Sequence, residues 1–227
     1  QPFSYFWRPN DVIVALYAPV ATEVTPEGYL YTGFGELMFF IGNPPAPVSQ
    51  RIKTLHKGYL PIVEYSFTRH GVEYGFRMFG ADLGGELRGL PVNFVKVRVT
   101  NRSSEPRAAF LSSALRFAAE KNISSSLADY RFNQRFDLLP KELVEGQTTF
   151  NPQWRYSFVG NSLQREGRVL YTFSLSPRPH QFSLALGDRG LRFVRYFTGE
   201  VEGNPDAGPR ADEQTPVGVV TYRLILK

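Results

Sequence analysis

Hydrophobic and polar residues alternate along most of this chain, most clearly in residues 58–80, GYLPIVEYSFTRHGVEYGFRMFG. If His70 and Gly71 form a two-residue turn, Phe67 faces Tyr74, Tyr65 faces Phe76 and Val63 faces Met78 on one side. Glu64 then meets Arg77 and Thr68 meets Glu73 on the other side. A three-residue loop would set Phe67 against Glu73, and a one-residue slip moves every side chain to the wrong face. The spacing therefore predicts a hairpin with one buried aromatic face and one hydrated, charged face. It makes His70 a turn residue beside a glycine that can adopt positive φ, rather than a base.

The same pattern recurs along the chain. Residues 12–17, 36–41, 93–100, 108–117, 155–159, 169–175, 182–186, 191–197 and 217–226 read as strands bounded by Gly, Pro, Asn or Ser, giving about eleven strands with the hairpin included. A second hairpin is predicted at Asp188-Arg189, pairing Leu186 with Leu191 and Leu184 with Phe193. Strand follows strand without intervening helices of ten or more residues. That predicts an all-β fold, a large antiparallel β-sandwich with sheets packed face to face. Minor departures are a polar stretch at 118–129, a short helix within 137–145 and a long loop at 199–218. No repeat and no composition shift marks a linker, so the expectation is a single β-sandwich domain over residues 1–227.

Composition narrows the chemistry. The 227 residues include 20 Gly and 17 Pro with 15% aromatics, the mixture that short strands and tight turns require. There is no cysteine, which excludes disulfides, thiolate metal sites and a cysteine nucleophile. His56, His70 and His180 follow no metal-ligand spacing, so no metal and no cofactor are expected. The net charge of +5 is spread among interleaved acids and bases, without a basic run, and predicts no nucleic-acid partner. No apolar run is long enough for a membrane helix, and no membrane partner is expected. The chain starts at Gln1 and ends at Lys227 within a strand-like run, so it reads as an excised piece of something longer. Asn101-Arg102-Ser103 and Asn122-Ile123-Ser124 fit the glycosylation pattern.

Groups that could converge for catalysis are few. Asp82 and Glu86, in ADLGGELRG, form the best carboxylate pair, but the glycines between them give no rigid element to hold two carboxyls at a fixed distance. Ser112-Ser113 and Ser124 to Ser126 lack a nucleophile elbow. Glu200, Glu202, Asp206, Asp212 and Glu213 do not follow the spacing of a calcium loop. No glycine-rich phosphate loop opens a helix. No catalytic residue is assigned. Trp7, in YFWRPN, and Trp154, followed by Arg155 in NPQWRYSF, pair flat aromatic faces with arginines. They are read either as a carbohydrate-binding platform or as core packing with arginine stems covering the rings.

The segment VNFVKVRVTNRSSEPRAAFLSSALRF, residues 92–117, resembles the strand, Asn-Ser turn and return strand of the N-terminal supersandwich domains, galactose mutarotase-like in fold, of multidomain bacterial glycoside hydrolases. GFGELMFFIG and LPIVEYSFTRHGVEYGFRMFG are similar to such domains in order and length. The resemblance covers residues 30–120 and carries no catalytic residue with it. It implies a periplasmic or secreted, non-catalytic partner domain, packed on a following (α/α) catalytic domain of the same chain and helping to shape its cleft. A free-standing carbohydrate-binding module using Trp7 and Trp154 is the first alternative. A mutarotase-like or hydrolase enzyme built on Asp82, Glu86 and His70 or His180 is the second.

Overall fold

A computed structural model describes residues 11–15, 21–25, 27–32, 35–48, 52–88, 92–117, 151, 153–184 and 217–227. The polar stretch at 118–129, the short helix of 137–145, the hairpin at Asp188-Arg189, the strand at 191–197, nearly all of the 199–218 loop and Trp7 lie outside the described residues. Those described are nearly all β. In chain order they form β1 (Asp11–Val14), β2 (Ala21–Val24), β3 (Leu30–Tyr31), β4 (Gly35–Ile41), β5 (Ala46–Pro47), β6 (Thr54–His56), β7 (Leu60–Arg69) and β8 (Val72–Ala81). There follow β9 (Val92–Asn101), β10 (Arg107–Phe117), β11 (Tyr156–Val159), β12 (Ser162–Arg165), β13 (Arg168–Thr172), β14 (Gln181–Ser183) and β15 (Val217–Leu226). A single 3-10 turn, Gly85–Leu87, is the helical element among the described residues. The antiparallel all-β sandwich expected from the alternation is what these residues form.

They gather into two compact units. The first holds β1 to β3 and β6 to β9, and the second holds most of β4, with β5 and β10 to β15. In the first unit β6, β7, β8 and β9 make a four-stranded antiparallel sheet. Its register is the one the alternation predicts: Val63 pairs with Met78, Tyr65 with Phe76, Phe67 with Tyr74 and Arg69 with Val72. The turn is His70-Gly71, with φ of 49° and 76°. Both values are positive, as a two-residue hairpin loop matched to strand twist requires. Val63, Tyr65, Val72, Tyr74, Phe76 and Met78 are all buried.

Against this inner face lies β1, which crosses β7 and β8, with β2 and β3 beside it. The two layers approach closely where Gly80 faces β1: a Cβ there would stand 3.1 Å from the Val14 carbonyl carbon. Tyr65 ties the layers together. Its ring stacks on Phe76 with centroids 4.8 Å apart, and its hydroxyl donates to the Gly28 carbonyl at 2.5 Å. Gly28 has φ of 98°, and a Cβ on it would meet the Tyr65 ring at 2.8 Å. Two separate constraints therefore select glycine at this position.

β2 departs from simple alternation: Thr22, Glu23 and Val24 are all buried, and Lys53 is buried in the same unit. The Asp11 carboxyl is pushed up to about 6 by burial, with the Lys53 charge acting the other way. Desolvation disfavours the ionised form, and it outweighs the attraction of the lysine.

In the second unit β4, β10, β15 and β14 lie side by side, and β5 pairs with β4. β11, β12 and β13 form a separate three-stranded sheet. Its β12–β13 turn, Glu166-Gly167, has the same φ values as His70-Gly71, 49° and 76°. Leu163, fully buried, centres a cluster with Tyr156 and Val217, against which Leu115, Trp154, Phe158 and Tyr171 pack.

Two outcomes are expected. Gly28→Ala should lower unfolding free energy by about 1–3 kcal/mol in urea titrations, from positive-φ strain and overpacking against Tyr65. Because the folded carboxyl holds its proton more tightly than the unfolded one, Asp11 makes stability fall as pH rises from about 4 to about 6. Asp11→Asn should remove that fall, as read from melting temperatures at pH 4, 5, 6 and 7.

Candidate functional site

The four-stranded sheet has an outer face set by the same register as the buried one. Across β7, β8 and β9 its rows are Thr68-Glu73-Thr100, Ser66-Gly75-Arg98, Glu64-Arg77-Lys96 and, at one end, a row in which Phe79 pairs with Phe94. The β9 residues Phe94, Lys96, Arg98 and Thr100 share this face because side chains two apart in a strand point the same way.

Several of these charges hold the strands together. Glu64 Oε1 accepts from Arg77 Nε at 2.6 Å and from His56 Nδ1 at 3.0 Å, which joins β6, β7 and β8. Glu73 Oε2 accepts from Arg102 Nε at 2.5 Å, which ties β8 to the end of β9. The Glu73 carboxylate raises the Arg102 guanidinium further above its ordinary value. Next to Arg102, Asn101 closes the turn: its Oδ1 accepts from the Ser103 amide at 2.9 Å and its Nδ2 donates to the Glu105 carbonyl at 2.8 Å. Lys96 and Arg98 are exposed, and among the described residues neither takes part in an ion pair.

Gly75 lies in the middle of this face, paired with Ser66 on one side and Arg98 on the other. Its missing side chain opens a trough of about 220 Å³ lined by Glu73, Gly75, Arg98, Thr100 and Arg102. Neither backbone conformation nor crowding calls for glycine here. Its φ is not in the left-handed region, and the nearest heavy atom to a Cβ would be the Arg98 carbonyl oxygen at 3.9 Å, ordinary contact. A glycine inside a central strand costs about 0.5–1 kcal/mol relative to alanine and often marks a place where a ligand comes close to the backbone.

The residues singled out from sequence are dispersed. Trp154 packs in the second unit beside Leu163, with the Arg165 guanidinium 3.7 Å above its ring. Arg165 is only 4% exposed, and burial lowers its pKa while the neighbouring Tyr156 acts to raise it. The exposed Arg155 is fixed through its backbone, its amide donating to Glu166 Oε1 at 2.6 Å. Asp82 and Glu86 are both exposed; Asp82 Oδ1 accepts from the Gly84 amide at 2.8 Å, and Glu86 sits in the 3-10 turn. His70 caps the hairpin, and the exposed His180 meets β15 through its backbone amide, bonded to the Thr221 carbonyl at 2.8 Å. His56 is the histidine that gains a side-chain partner on the outer face.

Lys96 and Arg98 carry a signal in the sequence itself. VNFVKVRVT alternates three valines with Phe94, Lys96, Arg98 and Thr100. Gly75 has one as well, being a glycine inside an otherwise regular strand pattern. No family model and no curated protein matches the chain.

Gly75→Thr should leave stability unchanged or raise it by up to about 1 kcal/mol in denaturant titrations, since a β-branched residue suits a central strand and nothing obstructs its Cβ.

Proposed function

We propose that this chain is a non-catalytic β-sandwich module of a carbohydrate-processing protein, acting by binding saccharide on the outer face of its four-stranded sheet. The observation that carries this reading is the trough over Gly75. It combines hydrogen-bond donors, an acceptor and a hydroxyl on rigid strands, and the glycine that makes it has no structural reason to be there. Sugars are recognised by such mixed polar groups on a pre-formed surface. The stacked Phe79 and Phe94 rings, 5.2 Å apart at 14°, supply an apolar patch at one end of the same face.

The likeness of residues 92–117 to supersandwich segments of glycoside hydrolases supports placing the module beside a helical catalytic domain of the same protein, in a periplasmic or secreted setting. In this reading chemistry belongs to that neighbour. Asp82 and Glu86 serve their own loop, and Glu64 and Glu73 serve the sheet. The Trp154 ring already has a partner in Arg165, so the binding surface is assigned to the sheet face instead.

The test is a thermal-shift screen of the 227-residue chain against neutral and acidic oligosaccharides. A ligand present at about a hundred times its dissociation constant should stabilise the fold by roughly 2.7 kcal/mol. Gly75→Thr should abolish the shift while melting normally. No shift with any saccharide, or a shift that survives Gly75→Thr, would refute the assignment.

A further inference from the structure

Among the described residues the charges of the outer face do not balance. Arg77, Lys96, Arg98 and Arg102 stand against Glu64 and Glu73, and each carboxylate is already met by an arginine, Glu64 by Arg77 and Glu73 by Arg102. The surplus falls on Lys96 and Arg98, neighbours on one side of β9 and about 7 Å apart along the strand. Arg98 borders the trough and Lys96 lies beyond it, toward the phenylalanine pair.

Resting on the saccharide-binding reading above, we propose that the ligand is an acidic saccharide, a chain of uronate residues lying along β9. One carboxylate meets Arg98 at the trough, and the next lies toward Lys96. A guanidinium offers two parallel N–H donors that match a carboxylate, which a lone ammonium cannot do. Glu73, as an acceptor, and Thr100, as donor or acceptor, meet ring hydroxyls. A neutral sugar would leave the two cations without counter-charge, whereas a uronate satisfies them at the sites where it binds.

Single-stranded nucleic acid is the rival polyanion, and the face suits it less well. The trough contains the Glu73 carboxylate, an acceptor for ring hydroxyls, of which a uronate residue in a chain offers more than a nucleotide does. Its lining includes no aromatic residue. Phe79 and Phe94 each spend one ring face on the other, leaving less for base stacking.

Calorimetric titration of the 227-residue chain with tetragalacturonate and tetramannuronate, each compared with its neutral methyl ester, tests the assignment. At least one acid should bind ten times or more tighter than its ester. Arg98→Ala should weaken that acid about tenfold or more and its ester by a smaller factor, so that the preference for acid over ester falls. Melting curves of Arg98→Ala and Gly75→Thr establish that both are folded. Equal binding of acids and esters, indifferent to Arg98→Ala, would overturn the uronate assignment and leave saccharide binding standing. The same holds if only neutral oligosaccharides bind. Absence of binding by every saccharide would bring down the functional reading itself. Tighter binding of oligothymidylate than of either acid would overturn both in favour of nucleic acid.

Discussion

The two-residue turn at His70-Gly71 fixes the pairing of β7 with β8, and through β8 the pairing of β9. Both turn residues hold positive φ, a geometry that matches the natural twist of a hairpin and allows one register only. Side chains alternate with a period of two, so that register decides at once which residues enter the core and which line the outer face. A shift by one position would expose Tyr65, Phe76 and Met78 and bury Glu64, Arg77 and Arg98. The apolar side makes such a shift prohibitive. The charged side gains its order as a consequence: Glu64 reaches both Arg77 and His56 because Val63 must face Met78.

This dependence explains which parts of the structure could be read from sequence. The β7–β8 hairpin carries strict alternation and a turn dipeptide of the right chemistry, and its pairings follow from sequence residue by residue. β15, with its run of apolar residues, is equally plain. β2 is another matter. Thr22, Glu23 and Val24 are all buried, so the strand has no polar face to generate a pattern. β3, β5 and β6 span only two or three residues, too few for any period to register. β12 and β13 meet at Glu166-Gly167, the same turn geometry as His70-Gly71, but flanking residues such as Gln164, Arg165 and Arg168 hide it under polar composition. Tertiary packing, rather than local pattern, defines these elements.

The aromatic residues illustrate a second limit. A tryptophan next to an arginine in sequence reads either as a platform or as packing beneath an arginine, and the arginine over Trp154 is Arg165, eleven positions away and brought close by the β11–β12 hairpin. Stacking of a guanidinium on an indole is favourable wherever water is partly excluded, and Arg165 is nearly fully buried. Trp154 lies two residues before Tyr156, the cross-strand partner of Arg165, and it is this pairing, not the next residue along the chain, that puts an arginine over the ring.

Glycine separates the requirements of folding from those of binding. Gly28 is demanded by its own φ and by the Tyr65 ring, Gly80 by the backbone of β1, and Gly218 by its φ of 64° and the Leu163 side chain. Each can be derived from packing alone. Gly75 has no such derivation: an alanine or threonine would fit, and would add strand propensity and side-chain contact. A residue that forgoes available stability at the centre of the four-stranded sheet is explained most economically by what its absence of side chain leaves open. That opening sits beside the basic residues least engaged in holding the sheet, Lys96 and Arg98. The outer face thus divides its charges by role, with Glu64, Arg77 and His56 maintaining the strands that place Arg98 at the edge of the trough.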